Sequence, residues 1–148
     1  SMKKTISTTL DIDATPEEIW DVLIDFPAHE KWNPFFARIV GEATVGTTIK
    51  ITARKDAGGD GMSFSPTVLE ADPGRMLRWK GKFLVNGLFD GEHSFELADL
   101  GDGRTRLDHS ENFSGILIRL MGKVLTQTGV GFTNLNTALA DEVAARRS

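Results

Sequence analysis

The sequence contains no cysteine and no long hydrophobic run. Without cysteine, the chain can form neither a disulfide nor a thiolate metal site, and it has no thiol nucleophile. No apolar run approaches the roughly 18 residues needed to span a bilayer, and the N-terminus lacks the basic and then apolar pattern of a signal peptide. These absences predict a cytoplasmic protein without stable membrane insertion.

Clustered positive charge is also missing. The 148 residues include 17 Lys and Arg against 21 Asp and Glu, which gives a net charge of -4. Because the basic residues are scattered, we expect no nucleic-acid partner. The length and a hydrophobic content of 40% are typical of one folded domain. We therefore expect a single domain over residues 1–148, with Ser1 a remnant of tag cleavage, as a monomer or weak homodimer.

The first third of the chain predicts one strand and two short helices. Residues 3–13 alternate as a strand, and Thr15 with Glu18 three positions later has the pattern of a helix N-terminus. This helix should end near residue 24, because the residue before a proline avoids helical geometry. The segment 31–35, which reads KWNPF, then lies in a loop or a second short helix.

The rest of the chain predicts an antiparallel meander followed by one long helix. Turn residues separate six strands, at residues 36–41, 47–55, 62–71, 75–82, 88–97 and 105–113. Between residues 116 and 147, apolar side chains recur every three or four positions, which predicts a continuous helix. Gly122, Gly129 and Gly131 interrupt it at about 1 kcal/mol each, so we expect a kink, space for a ligand or close packing there.

Several short motifs accompany this order of elements. They are Pro16-Glu17-Glu18-Ile19-Trp20, Trp32-Asn33-Pro34-Phe35, Leu69-Glu70-Ala71-Asp72-Pro73-Gly74, Leu77-Arg78-Trp79, Gly103-Arg104-Thr105-Arg106-Leu107 and Glu111-Asn112-Phe113-Ser114-Gly115. With them, the chain resembles the START/Bet v1-like (SRPBCC) superfamily over residues 3–146, and within it the bacterial polyketide cyclase/dehydrase-like branch. The resemblance implies an α+β helix-grip fold, in which a seven-stranded antiparallel sheet wraps around the C-terminal helix and encloses a hydrophobic cavity. It also implies two short helices after the first strand, with segment 31–35 at the open end of the sheet.

Strand alternation predicts which side chains face the helix. The inward rows on three neighbouring strands are Leu77, Trp79 and Phe83; Phe89, Gly91, His93, Phe95 and Leu97; and Leu107, His109, Glu111 and Phe113. Among these apolar residues, His93, His109 and Glu111 are titratable, and a buried titratable group needs a hydrogen-bonding partner. A parity error of one residue would instead place all three at the surface.

The three polar residues leave more than one function open. They could orient the polar group of an apolar ligand. Alternatively, His93 or His109 with Glu111 could supply the acid and base of a polyketide cyclase or dehydratase. A site of two histidines and one carboxylate could also hold a metal, but the sequence has no tight ligand spacing, so we expect neither a metal nor another cofactor. An adaptor or assembly factor would use the surface of the protein instead.

Binding of a small hydrophobic molecule is the function that the sequence favours. A lipid, an isoprenoid or an aromatic polyketide-like compound would occupy the cavity between sheet and helix. The predicted ligand-binding residues are Trp32, Phe35, Trp79, Phe83, Phe89, His93, Phe95, His109, Glu111, Phe113, Leu117, Met121, Leu125 and Phe132. His93, His109 and Glu111 are also the only catalytic candidates.

Overall fold

A computed structural model describes residues 2–83 and 89–147. The strands are β1 (Met2–Ile12), β2 (Phe36–Val40), β3 (Lys50–Arg54), β4 (Asp60–Phe64), β5 (Thr67–Asp72), β6 (Met76–Phe83), β7 (Phe89–Gly101) and β8 (Arg104–Gly115). The α-helices are α1 (Pro16–Ile24), α2 (His29–Trp32) and α3 (Gly122–Arg146), and single 3-10 turns occupy Phe26–Ala28 and Ile118–Leu120. Short helices after the first strand and a long C-terminal helix on antiparallel strands make up the expected α+β helix-grip fold.

The strands form two sheets, so the prediction of one seven-stranded sheet is wrong. One sheet has the order β1-β8-β7-β6-β5 and the other the order β2-β3-β4, with antiparallel pairing throughout. The predicted strand 62–71 divides at Pro66 into β4 and β5, because proline has no N–H to donate to a ladder. The Ile49 N–H donates to the carbonyl of Pro66 at 2.9 Å, and this bond links the two sheets at the division.

Helix α1 begins where the sequence predicts. Thr15 Oγ1 accepts the N–H of Glu18 at 3.2 Å, while Glu18 Oε1 accepts the N–H of Thr15 at 3.0 Å. This reciprocal pair satisfies two of the N–H groups that a helix N-terminus leaves without an intrahelical partner. The helix ends at Ile24, ahead of Pro27, and buries Ile19 and Leu23 in the main hydrophobic core.

Helix α3 begins at Gly122, so the expected continuous helix from residue 116 is wrong at its start. Gly115 has a φ of 126°, a conformation that ends β8 in a sharp turn. The following 3-10 turn buries Ile118 in a small cluster with Phe113 and Leu125. From there α3 crosses the five-stranded sheet, and its buried side chains on the sheet side include Phe132, Leu135 and Leu139. None of the helices within the described ranges is long and apolar enough to cross a membrane.

Candidate functional site

A cavity of about 570 Å³ lies between the two sheets and the first half of α3. This volume is within the range of small-molecule sites, roughly 300–1,000 Å³. Its lining residues are Phe35, Phe36, Ala53, Arg54, Lys55, Gly61, Met62, Phe64, Trp79, Gly81, Gly91, His93, Glu111, Phe113, Leu117, Met121, Val124, Leu125 and Thr128. Aromatic and aliphatic side chains dominate this lining, so the cavity suits a mostly apolar molecule.

The structure brings eight of the predicted ligand-binding residues to the cavity wall. They are Phe35, Trp79, His93, Glu111, Phe113, Leu117, Met121 and Leu125. The side chains of Phe83 and Phe89, and the predicted turn 85–87, lie outside the described part of the structure. Three strands, the residue before β2 and the segment after β8 therefore contribute predicted residues to one cavity.

The other four predicted residues pack behind the cavity wall and do not line it. Phe95, His109 and Phe132 are buried in a stack, in which the His109 ring lies 4.3 Å from that of Phe95 and 4.1 Å from that of Phe132. Trp32 packs against the main core and the His29 ring, 4.6 Å away. Phe95, His109 and Phe132 therefore support the cavity wall from behind.

The KWNPF segment positions one aromatic wall of the cavity. Asn33 Oδ1 accepts the N–H groups of Phe35 and Phe36 at 2.8 and 2.9 Å. The amide of Asn33 also bonds His29 Nδ1 at 3.0 Å, and His29 Nε2 donates to the carbonyl of Leu23 at 2.8 Å. Burial lowers the pKa of His29 to about 4, which keeps the ring neutral and leaves Nδ1 able to accept. Asn33 and His29 thus fix the backbone that carries the two phenylalanines.

A chain of hydrogen bonds behind the wall fixes the tautomer of His109. The hydroxyl of Thr8 donates to the backbone carbonyl of His109 at 2.8 Å, so its oxygen accepts the Asn136 amide N–H at 2.9 Å. That orientation points Asn136 Oδ1 at His109 Nδ1, 2.7 Å away. His109 therefore carries its proton on Nδ1. Burial, reinforced by nearby His93, lowers the pKa of His109 well below its ordinary value, so Nε2 is an acceptor.

His93 connects this chain to the cavity. Its Nε2 lies 2.7 Å from His109 Nε2 and must donate, because the His109 nitrogen is an acceptor. On the other side of the ring, His93 Nδ1 faces Glu111 Oε1 at 3.3 Å. The contact places an imidazole nitrogen of His93 beside one carboxyl oxygen of Glu111.

Gly91 gives the carboxyl of Glu111 its space. A β-carbon at this position would collide with Glu111 Oε2, since Gly91 lies beside Glu111 on the neighbouring strand. The side chain of Glu111 is 16% exposed, whereas that of His93 is only 4% exposed. Glu111 is therefore the polar group of this pair that is more accessible from the cavity.

The sequence analysis missed Thr8, Asn136 and Arg54. Asn136 is four residues after Phe132 on the buried side of α3, so a polar residue in the apolar stripe was the available signal. Arg54 lines the cavity, and its guanidinium donates to the backbone carbonyls of Asn33 and Glu30 at 3.2 Å each. No pattern near Arg54 indicates these contacts, because they join β3 to the end of α2.

The arrangement does not support the metal alternative. Within the described residues, no group of three or more His, Asp or Glu side chains could hold a metal ion. The reason is visible at the two histidines, whose Nε2 atoms are hydrogen-bonded to each other at 2.7 Å. Nitrogens that share a proton at this distance leave no room for an ion between them.

Comparison with known families gives one match over nearly the whole chain. Residues 3–142 match the model of the family described as "Polyketide cyclase / dehydrase and lipid transport". Comparison with curated proteins finds no match.

Solved structures with a similar fold include proteins from three bacteria. The Zhui aromatase/cyclase from Streptomyces sp. R1128 has a TM-score of 0.76 at 16% identity, over 99% of this chain and 97% of that one. A START superfamily protein from Mycobacterium smegmatis has a TM-score of 0.76 at 20% identity, over 95% and 97% of the two chains. A protein from Chromobacterium violaceum has a TM-score of 0.72 at 26% identity, over 94% and 96%.

Proposed function

The chain belongs to the polyketide cyclase/dehydrase and lipid transport family, and from that premise we propose that it binds a small hydrophobic molecule in the cavity. The class we expect is a lipid, an isoprenoid or an aromatic polyketide-like compound. One observation carries this proposal, namely a cavity of about 570 Å³ with a mostly apolar wall. An adaptor that acted only through its surface would need no such space.

The polar residues of the wall suggest how a ligand would be oriented. Glu111 and His93 present a carboxyl oxygen and an imidazole nitrogen 3.3 Å apart at the cavity wall. Such a pair can donate a hydrogen bond to a carbonyl or accept one from a hydroxyl. We therefore expect the ligand to have an apolar body and one oxygen-containing group next to Glu111.

Native mass spectrometry of the purified protein, with identification of any co-purifying compound, tests for a ligand directly. Ala53→Phe adds a ring at the cavity wall and should reduce the affinity for that ligand, or for a fluorescent fatty-acid probe, by tenfold or more. Ala98→Phe is the matched control, because Ala98 is exposed on β7 away from the cavity. Equal affinities in both variants and the unmodified protein would contradict binding in the cavity.

Acid–base catalysis of the cyclase or dehydratase kind is the second candidate. The observation in its favour is that Glu111 lines the cavity and its Oε1 lies 3.3 Å from His93 Nδ1. A carboxylate can remove a proton beside a carbonyl while a neighbouring acid protonates the oxygen. His109 would act only through His93, because His109 is fully buried.

Glu111→Gln separates the two candidates, because the glutamine amide keeps the size and polarity of the side chain but cannot act as a base. Catalysis predicts that exchange of the α-protons of an aryl ketone in D₂O, followed by NMR, falls about 10²- to 10⁴-fold while the ketone still binds. Glu92→Gln, on the outer face of β7, is the control and should change neither quantity. A protein that binds the ketone but exchanges no protons before mutation has only the binding function.

A further inference from the structure

Acidic residues are absent from a long part of this acidic chain. Between Glu111 and Asp141 the sequence has no Asp or Glu, although the whole chain contains 21 of them. The same stretch contains Arg119 and Lys123, which are exposed. Around these bases, in residues 116–124, three aliphatic side chains point into water: Ile116 is 64% exposed, Leu120 80% and Val124 47%. We call residues 116–124 the mouth segment.

The mouth segment borders the cavity. Leu117 and Met121 line the cavity. Their neighbours in the chain, Ile116 and Leu120, are exposed to solvent. Val124 lines the cavity and is also partly exposed to solvent. Across the opening, Met62 lines the cavity and is 65% exposed. Apolar side chains therefore continue from the inside of the cavity onto the outer surface around it.

Positive charge surrounds this apolar surface. In the pairing of β1 with β8, exposed Lys3 and Lys4 lie opposite Ser114 and Phe113, just before the mouth segment. Lys55 lines the opposite side of the cavity. Across residues 2–83 and 89–147, no ion pair involves Arg119 or Lys123. Their charges thus remain available to an external anion.

We propose that the mouth segment docks the cavity opening onto an anionic lipid bilayer. Aliphatic side chains with bases between them suit a membrane interface, where the apolar groups enter the acyl boundary and the bases meet anionic headgroups. A protein partner is less well matched, because binding hot spots are enriched in Trp, Tyr and Arg, and of these the mouth segment contains only Arg119. The whole chain has a net charge of -4, so the surface away from the mouth segment is acidic and repels the same bilayer, and only this end would face it.

Docking in this orientation would let an apolar molecule move between bilayer and cavity without crossing water. The docking proposal does not depend on the identity of the cavity ligand, and it remains testable if the cavity binds nothing. Its readout is the binding of the protein to vesicles rather than the binding of a ligand.

Sedimentation with vesicles tests the proposal. The full chain should bind vesicles of two parts phosphatidylcholine to one part phosphatidylglycerol, and bind phosphatidylcholine alone much more weakly. The double variant Ile116→Ser with Leu120→Ser should lower the partition coefficient of the protein between water and anionic vesicles at least about tenfold, since two aliphatic side chains no longer enter the bilayer. Arg119→Gln with Lys123→Gln should weaken it roughly fivefold per charge. None of these four residues lines the cavity.

Two matched variants serve as controls, after circular dichroism has shown that all variants fold. Val40→Ser with Val45→Ser removes two aliphatic side chains that are each 60% exposed, and Lys50→Gln with Arg104→Gln removes two exposed charges at other strand ends. Both controls should bind vesicles as the unmodified protein does.

Four results would overturn the proposal. The first is no binding to the anionic vesicles, and the second is an equal loss of vesicle binding in the control variants. The third is vesicle binding that Arg119→Gln with Lys123→Gln weakens but Ile116→Ser with Leu120→Ser does not. The fourth is a dimer in analytical ultracentrifugation that Ile116→Ser with Leu120→Ser dissociates, because the mouth segment would then be covered by a second copy of the chain.

Discussion

Asn136 gives the two buried histidines different properties. Its Oδ1 accepts from His109 Nδ1, and burial lowers the pKa of His109 and keeps the ring neutral, so His109 can only accept at Nε2. His93 donates to that nitrogen and keeps Nδ1 next to Glu111. Of the two histidines, His93 is therefore the one that lies beside Glu111 at the cavity wall.

Strand alternation placed His93, His109 and Glu111 on one face, and the structure has the two histidines buried and Glu111 partly buried. Strand alternation could not show that His109 lies behind the cavity wall. That depends on Phe132, whose ring lies 4.1 Å from His109 and belongs to a helix far along the chain. The depth of a side chain below a cavity surface is set by such tertiary contacts, which periodicity does not encode.

At the scale of elements, the sequence predicted the start of α1 correctly, because residues next to each other in the chain determine it. Thr15 and Glu18 form the expected N-terminal cap of α1. Pro66 is a signal for the division of the predicted strand 62–71, because proline cannot donate to a ladder. The late start of α3 was not visible, since burial of Ile118 against Phe113 and Leu125 determines it.

Gly131 of α3 is a position where close packing requires glycine. A β-carbon there would lie 2.5 Å from Phe35 Cδ1 and Cε1. The Phe35 ring cannot easily move, because it lies between Phe36 and Phe132 at centroid distances of 5.1 and 5.4 Å. We expect Gly131→Ala to lower the free energy of unfolding by about 1–3 kcal/mol, measured by urea denaturation, despite the better helix propensity of alanine.

Gly129→Ala is the matched control on the same helix. A β-carbon at Gly129 would meet only Ile6 Cγ2, at an ordinary contact distance of 3.5 Å. This variant should therefore gain up to about 1 kcal/mol from helix propensity. If the two alanine variants changed stability equally, close packing would not explain Gly131, and a ligand or a kink would have to.

At the scale of the whole molecule, exposed ion pairs connect separate elements, and two buried histidines are kept neutral. Two ion pairs join α1 to the C-terminal end of α3. One connects Glu18 to Arg147, and the other connects Asp25, just after α1, to Arg146. Such exposed pairs contribute little each. His29 and His109, by contrast, are buried and have lowered pKa values, so the stability of the fold depends on both remaining uncharged.

Stability should therefore decline in mild acid. The pKa of His29 is about 4 in the folded protein and about 6.5 in the unfolded chain, so the unfolded state binds more protons between these values and acid favours it. From pH 7.5 to pH 5, His29 alone should lower the free energy of unfolding by about 2 kcal/mol, and His109 acts in the same direction. Urea denaturation at both pH values measures this loss of unfolding free energy. In His29→Gln the loss should be smaller by about the 2 kcal/mol that His29 contributes. The surface carboxyls with lowered pKa values, such as Glu18, titrate below this window and cannot produce the effect. An equal loss in the variant would show that His29 is protonated in the folded state.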